Sequence, residues 1–286
     1  REKQSMDVAK ITPAIGAGLT GVDLSAPLTQ AMADALYEQL MDHQVIFLRG
    51  TDLSPAAHLA LAESFGQLDE PHPLYPHVDG YERIVKLEND SGAPPDTNTW
   101  HTDLTFKRVQ PFASILVARV VPEVGGDTMW SSCYAAYDRL PAGMKQDLEG
   151  LEAIHDMGDF RNSFPSKEQL DSALPRFGHM IRPLIGTHPV TGRKFLNFIE
   201  ALVTHILGLP TNAANSLKTW LTNHMNKPED QMRWRWQAGD IAMWDNRCTM
   251  HARSPVDHSQ ARVMHRTLIK GDPVISAWEK AGAVAE

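Results

Sequence analysis

The chain has 286 residues, 42% of them hydrophobic and 22% charged, a balance that excludes the disordered and fibrous classes and leaves ample length for a core. A formal net charge of -8 argues against nucleic acid as a partner, because phosphate backbones are met by basic surfaces. Two cysteines, Cys133 and Cys248, are too few for a disulfide scaffold and point to the reducing cytoplasm.

No repeat, low-complexity block or Ser/Gly-rich linker divides the chain, which reads as a single domain over 1–286. Its opening, Arg1-Glu2-Lys3-Gln4-Ser5-Met6-Asp7, is too polar for a secretion signal, and no apolar run reaches bilayer length, so no membrane partner is expected. Residues 11–24, β-branched with repeated glycines, read as a strand and turn, followed by a helix over 30–43. The apolar run 45–48 is a buried strand. Ser54 as N-cap and Pro55 at the first helical position then start a second helix that runs to about 65. Residues 69–99, rich in Pro, Asp, Asn and Gly, form a long loop with one short strand over 83–87, and long loops on compact domains often carry function. Strands follow over 113–121 and 127–130 around a Gly125-Gly126 turn, then helices over 134–140 and 141–151. The stretch 157–182 is poorly periodic and reads as a lid that closes over a ligand and excludes water. A helix over 212–226 precedes strands over 232–236, 241–244 and 262–269. Many short strands with few helices imply a mainly β fold, a double-stranded β-helix (jelly-roll) barrel decorated with α-helices, whose mouth holds a small ligand.

Chemistry concentrates in Trp100-His101-Thr102-Asp103, answered far downstream by His251. In an extended strand residues i and i+2 share a face, so His101 and Asp103 can point at one ion while Thr102 points away. Two imidazoles and one carboxylate grip a metal from one side and leave positions open, which suits iron(II) chemistry, although zinc takes the same ligands. A rival His77-Val78-Asp79 pair follows Pro71, Pro73 and Pro76, which disfavour a paired strand, and is rejected as the metal pair. Arg262 and Arg266 lie an even number of positions apart, so a strand would put both on one face. Two neighbouring cations imply two acidic ligands between them.

The runs Trp100-His101-Thr102-Asp103-Leu104-Thr105-Phe106, Gly125-Gly126-Asp127-Thr128, Trp234-Arg235-Trp236, Trp244-Asp245-Asn246-Arg247, His251 and Arg262-Val263-Met264-His265-Arg266 occur in order over nearly the whole chain. Together they resemble the TauD/TfdA family of 2-oxoglutarate-dependent dioxygenases. The resemblance implies iron(II) held by His101, Asp103 and His251, with 2-oxoglutarate and O2 as co-substrates. It implies that Arg262 and Thr128 hold the distal carboxylate of 2-oxoglutarate, a role that a guanidinium fork fills better than lysine. A sulfonate substrate would meet Arg266, His72, Tyr75 and the backbone amide of Leu104, with Phe106, Ser163 and Phe164 around it. Two departures bear on the substrate: Thr97 stands where taurine-oxidising members carry an asparagine, and residues 198–202 do not align with a pocket phenylalanine. The implied reaction hydroxylates the carbon next to the sulfonate of taurine or a similar small sulfonate, releasing sulfite and an aldehyde with succinate and CO2. The alternatives are the same chemistry on an alkyl sulfate or aryloxyalkanoate, or a zinc hydrolase in the same barrel. The expected partner is a small anion, and the sequence leaves homo-oligomeric assembly open.

Overall fold

A computed structural model describes residues 6–72, 75–89, 99–164, 166–257 and 259–273. The chain opens with β1 (Asp7–Lys10) and β2 (Ala17–Thr20), then α1 (Gln30–His43), β3 (Val45–Leu48), α2 (Pro55–Glu63), β4 (His77–Val78), β5 (Tyr81–Asn89), β6 (Val109–Val120) and β7 (Thr128–Ser132). Its middle holds α3 (Cys133–Asp138), α4 (Ala142–Leu148), β8 (Glu152–Asp156), α5 (Lys167–Phe177), β9 (His179–Pro183), β10 (Ile185–Thr187), β11 (Lys194–Leu196) and β12 (Val203–Ile206). After α6 (Thr211–Met225) come β13 (Gln231–Trp234), β14 (Ile241–Asp245), β15 (Thr249–Arg253) and β16 (Arg262–Pro273). Among the described residues no helix is long and apolar enough to cross a membrane.

An eight-stranded sheet in the order β1-β2-β3-β14-β6-β16-β5-β4 faces a three-stranded sheet, β13-β7-β15, as the two halves of a jelly roll. The central strands are buried on both faces, which is why they read as continuous apolar runs rather than alternating ones. Phe47, Leu116, Ala118, Trp244 and Met264 point between the sheets and meet Trp130 and Trp234 of the smaller sheet, with Phe47 stacked on Trp234 at 4.1 Å. Their neighbours Ile46, Leu48, Ile115, Val117, Ile241 and Met243 point outward and are covered by Leu36 and Leu40 of α1 and Leu61 of α2. A third apolar cluster joins α3, α5 and α6 to the small strands β8–β12 through Tyr134, Phe177, Phe198 and Leu221.

Several expected elements form where the local chemistry demands. Thr29 caps α1 by accepting from Met32 N–H, and Ser54 caps α2 by accepting from Ala57 N–H with Pro55 beside it. Other expectations change. Residues 11–24 give only β2, paired as a hairpin with β1. His77–Val78 is a short strand despite the flanking prolines, because β4 lies at the sheet edge, where a proline removes no ladder bond. The stretch 157–182 is more regular than its composition implies. Leu170, Ala173, Leu174 and Phe177 carry a helical stripe that builds α5 across Pro175, and β9 follows.

Burial sets the protonation of two histidines inside this frame. Burial first, then the charges of Arg119 and His265, push the His58 imidazole down to about 3; burial and Arg182 do the same to His155. Both stay neutral in the folded protein and take up a proton on unfolding below about pH 6.5. Stability from these groups is complete above that value and is lost as pH falls toward 3, at about 1.4 kcal/mol per pH unit for each histidine. His58→Gln is therefore expected to flatten the acid-side loss of unfolding free energy, read by urea denaturation at about pH 7.5 and about pH 5.5. The same pH slope in both proteins would refute this account.

Candidate active site

The metal-binding candidates are brought together by backbone pairing. His101 and His251 form an isolated antiparallel bridge in which His101 N–H donates to the His251 carbonyl (3.0 Å) and His251 N–H donates to the His101 carbonyl (2.8 Å). Residues facing each other across such a bridge project to one side of the sheet, and the two rings lie 4.2 Å apart, centre to centre. Asp103 joins them from the same segment, but not as part of a strand. After the bridge the chain enters a turn, with Leu104 in the left-handed region at φ 52° and Lys107 N–H donating back to its carbonyl. Thr102 points the other way, as expected, and donates from its hydroxyl to the Thr249 carbonyl (2.8 Å).

Ligand atoms of His101, Asp103 and His251 all lie within 4.8 Å of one another. Donors each about 2.1 Å from one ion sit about 3–4 Å apart, so modest inward movement completes the set. His101 Nδ1 donates to the Thr99 carbonyl at 2.9 Å, leaving Nε2 as its ligating nitrogen. Burial pushes both imidazoles down, His251 to about 3, so each is neutral and able to bind a metal. For Asp103 burial opposes ionisation, yet Arg266, His251, His101 and the Ser114 hydroxyl outweigh it and hold the carboxyl well below the usual carboxylate range. The donor set thus fits a divalent ion of intermediate hardness, an anionic oxygen with two neutral nitrogens.

A chain of hydrogen bonds that the sequence did not reveal orients Asp103. Trp244 Nε1 donates to Asn246 Oδ1, Asn246 Nδ2 to Ser114 Oγ, and Ser114 Oγ to Asp103 Oδ2 (2.7 Å). The turn carrying Asn246 is braced by Arg247, which donates twice to Asp245, and by His188, whose Nε2 meets Asp245 at 3.0 Å. The other carboxylate oxygen, Oδ1, accepts from Arg266 at 3.0 Å.

These groups open into a cavity of ≈ 220 Å³ lined also by Thr128, Arg253, Arg262, Asn89, Leu87 and Leu116. Arg262 and Arg266 do share one face of β16, opposite Asn89 and Val85 of β5. Arg262 is 4% exposed and donates from Nε to the Gly126 carbonyl at 3.1 Å. A Cβ at Gly126 would meet its Cδ at 3.0 Å, so glycine makes room for this arginine. Burial, followed by the nearby Arg253 charge, pushes the Arg262 guanidinium down to about 9, still cationic at neutral pH. Thr128 Oγ1 accepts from Trp236 Nε1 (2.9 Å), which leaves its own O–H to donate into the cavity.

The candidate substrate residues divide. His72, Tyr75, Leu104, Phe106 and Arg266 all line the cavity, with the His72 and Tyr75 rings 4.6 Å apart and the Arg266 guanidinium 5.9 Å from the Tyr75 ring centre. Phe164 is half-buried against the helical cluster instead and is not among the lining residues. Thr97 lies outside the described residues, as does the side chain of Ser163. Of the lining residues missed in sequence, Arg253 follows His251 by one full strand repeat and was findable by face, whereas Asn89 and Leu116 required the sheet register.

A family model described as taurine catabolism dioxygenase TauD, TfdA family, matches residues 7–268. The chain belongs to that family. Two relatives of this TauD/TfdA member span almost all of it. The alpha-ketoglutarate-dependent sulfate ester dioxygenase of Pseudomonas putida is 34% identical, covering 93% of this chain and 90% of that protein. The alkylsulfatase of Acinetobacter baylyi is 32% identical, covering 96% and 88%. A crystal structure of a taurine dioxygenase from Burkholderia xenovorans superposes with a TM-score of 0.80 at 29% identity, over 94% of this chain and 92% of that one. The TauD/TfdA chain is accordingly a 2-oxoglutarate-dependent dioxygenase that works with iron(II), 2-oxoglutarate and O2, which sets aside the zinc hydrolase. Outer-sphere partners of metal ligands typically contribute about 10–100-fold in affinity. Ser114→Ala is expected to weaken iron(II) retention by about tenfold, measured by competition with a chromophoric chelator.

Proposed function

We propose that this dioxygenase hydroxylates the carbon adjacent to the sulfur oxyanion of a short alkyl sulfate or alkylsulfonate, and that the product collapses to an aldehyde with sulfate or sulfite. His101, Asp103 and His251 hold the iron, Arg262 and Thr128 take the distal carboxylate of 2-oxoglutarate, and Arg266 with His72 and Tyr75 takes the sulfur oxyanion. Iron and keto acid together supply the oxidation of a C–H bond by O2, one oxygen atom entering succinate and the other the substrate. The chain's part is to bind, orient and keep dry. The Arg266 fork matches a tetrahedral oxyanion through two donors, and α5 packs Phe177 edge-on against Phe106 at 5.6 Å and near His72. The stretch 157–182 is accordingly proposed as the cover that excludes water.

The observation that carries the substrate class is the lining. Three cations, Arg253, Arg262 and Arg266, face one cavity in which, among the described residues, Asp103 is the sole carboxylate. Among the described lining residues an ammonium group would meet no carboxylate besides Asp103, which Arg266 already holds, whereas Leu87, Leu104, Phe106, Leu116 and Leu202 suit an apolar tail. The names of the sulfate ester dioxygenase and alkylsulfatase relatives agree with this class. Taurine remains the second reading, favoured by the likeness to a taurine dioxygenase structure.

A panel of alkyl sulfates, alkylsulfonates, taurine and aryloxyacetates should separate these, with sulfate, sulfite and succinate followed together. Alkyl sulfate turnover well above taurine turnover is expected; turnover confined to taurine makes the second reading correct, and turnover confined to aryloxyacetates removes the sulfur oxyanion altogether. Asp103→Ala should abolish iron retention. Arg266→Ala should raise the substrate KM on the order of thirtyfold with little change in 2-oxoglutarate affinity, and the reverse pattern would mean that the two arginines exchange roles.

A further inference from the structure

Among the described lining residues, Asn89 has no part in the roles assigned above, yet its environment is that of a binding group. It closes β5, is 3% exposed, and faces the same cavity as Arg262. The two are direct cross-strand partners in the antiparallel β5–β16 pair, so their side chains stand side by side on one face of the sheet. The Asn89 amide nitrogen Nδ2 is fully buried and has no hydrogen-bond partner among the described residues. A buried amide donor left unmatched costs free energy.

The missing acceptor can be counted. A carboxylate offers about four lone-pair sites. A guanidinium fork from Arg262 occupies two and the Thr128 hydroxyl a third, which leaves one for a donor standing beside Arg262. Arg253, buried in the same wall and close enough to depress Arg262, makes this end of the cavity doubly cationic and therefore the end that a dicarboxylate enters with its charged tail. We infer that Asn89 is a further binding residue for the keto-acid co-substrate, donating from its side-chain amide to the distal carboxylate. This rests on the assignment of Arg262 and Thr128 to that carboxylate. The consequence is selectivity: a site built to hydrogen-bond this group discriminates against keto acids that lack it.

The test uses the iron-loaded protein without oxygen, titrated with 2-oxoglutarate and, separately, with 2-oxobutanoate, which keeps the keto-acid head and lacks the distal carboxylate. Asn89→Leu is expected to weaken 2-oxoglutarate binding about tenfold while leaving 2-oxobutanoate binding unchanged. Its melting temperature without ligand should be equal to or above that of the parent, because the unmatched amide is gone. Asn89→Asp, similar in size, should weaken 2-oxoglutarate further through charge repulsion. Equal 2-oxoglutarate affinity in parent and Asn89→Leu overturns the inference, as does equal loss for both acids. Failure of the parent protein to prefer 2-oxoglutarate over 2-oxobutanoate overturns the underlying Arg262 and Thr128 assignment instead.

Discussion

The reciprocal backbone pairing of His101 and His251 is the constraint on which the site depends. Neither histidine reaches the other through a side-chain contact alone. Two main-chain hydrogen bonds fix the register first, and the register decides that both imidazoles leave the sheet on one side at a spacing that a single ion can bridge. A slip by one residue on either strand would send one ring to the opposite face. The β7–β15 ladder below, with Trp130 opposite His251, and the Thr102–Thr249 bond beside it lock that register in place. Asp103 can then leave the strand geometry entirely. Its position follows from the turn at Leu104, and its orientation from Ser114 and Arg266, which hold one oxygen each.

The electrostatics of the cavity follow from the same enclosure. Burial alone favours neutral groups, and the imidazoles obey it; Asp103 stays ionised because the Arg266 guanidinium and the Ser114 hydroxyl hold its two oxygens. Arg253, Arg262 and Arg266 outnumber the one carboxylate among the described lining residues, so the cavity is cationic even before a metal adds charge. The overall net charge of -8 conceals this local inversion. A protein that is acidic outside and basic in one enclosed site attracts small anions only where the field is focused by low-dielectric walls.

What the sequence disclosed and withheld follows from this architecture. The motif residues announced themselves because a metal triad and paired arginines need particular residue types at particular spacings. Helix α1 was legible from its pattern, α2 from its Ser54 cap and Pro55, and the core strands from apolar runs. The strands β8–β12 were not, since they are short, flank helices, and bury residues into a cluster assembled from many elements rather than along one face. His101 and Asp103 were read as strand neighbours; Asp103 instead enters a turn that contains a left-handed Leu104, which no propensity favours. Ser114, Asn246 and Asn89 look like ordinary polar residues in sequence. Their meaning lies in what the sheet places opposite them.

Strand β16 ties the two halves of the chemistry together. Arg262 and Arg266 stand four residues apart on one face, so at about 3.3 Å per residue their backbones are about 13 Å apart, and both guanidiniums reach back into one cavity. The irregularity in the β16–β6 pairing between Val263 and Met264 falls between them, while pairing with β5 continues unbroken. A bulge on one side increases local twist without changing which face the arginines occupy. Arg262 is thereby fixed against Gly126, and Arg266 is turned toward Asp103. Because Arg266 already touches a metal-ligand candidate, an anion that draws it away changes the charge around Asp103. An anion bound at Arg266 would thus be electrostatically linked to the carboxylate that would face the metal, through one side chain and without a moving domain.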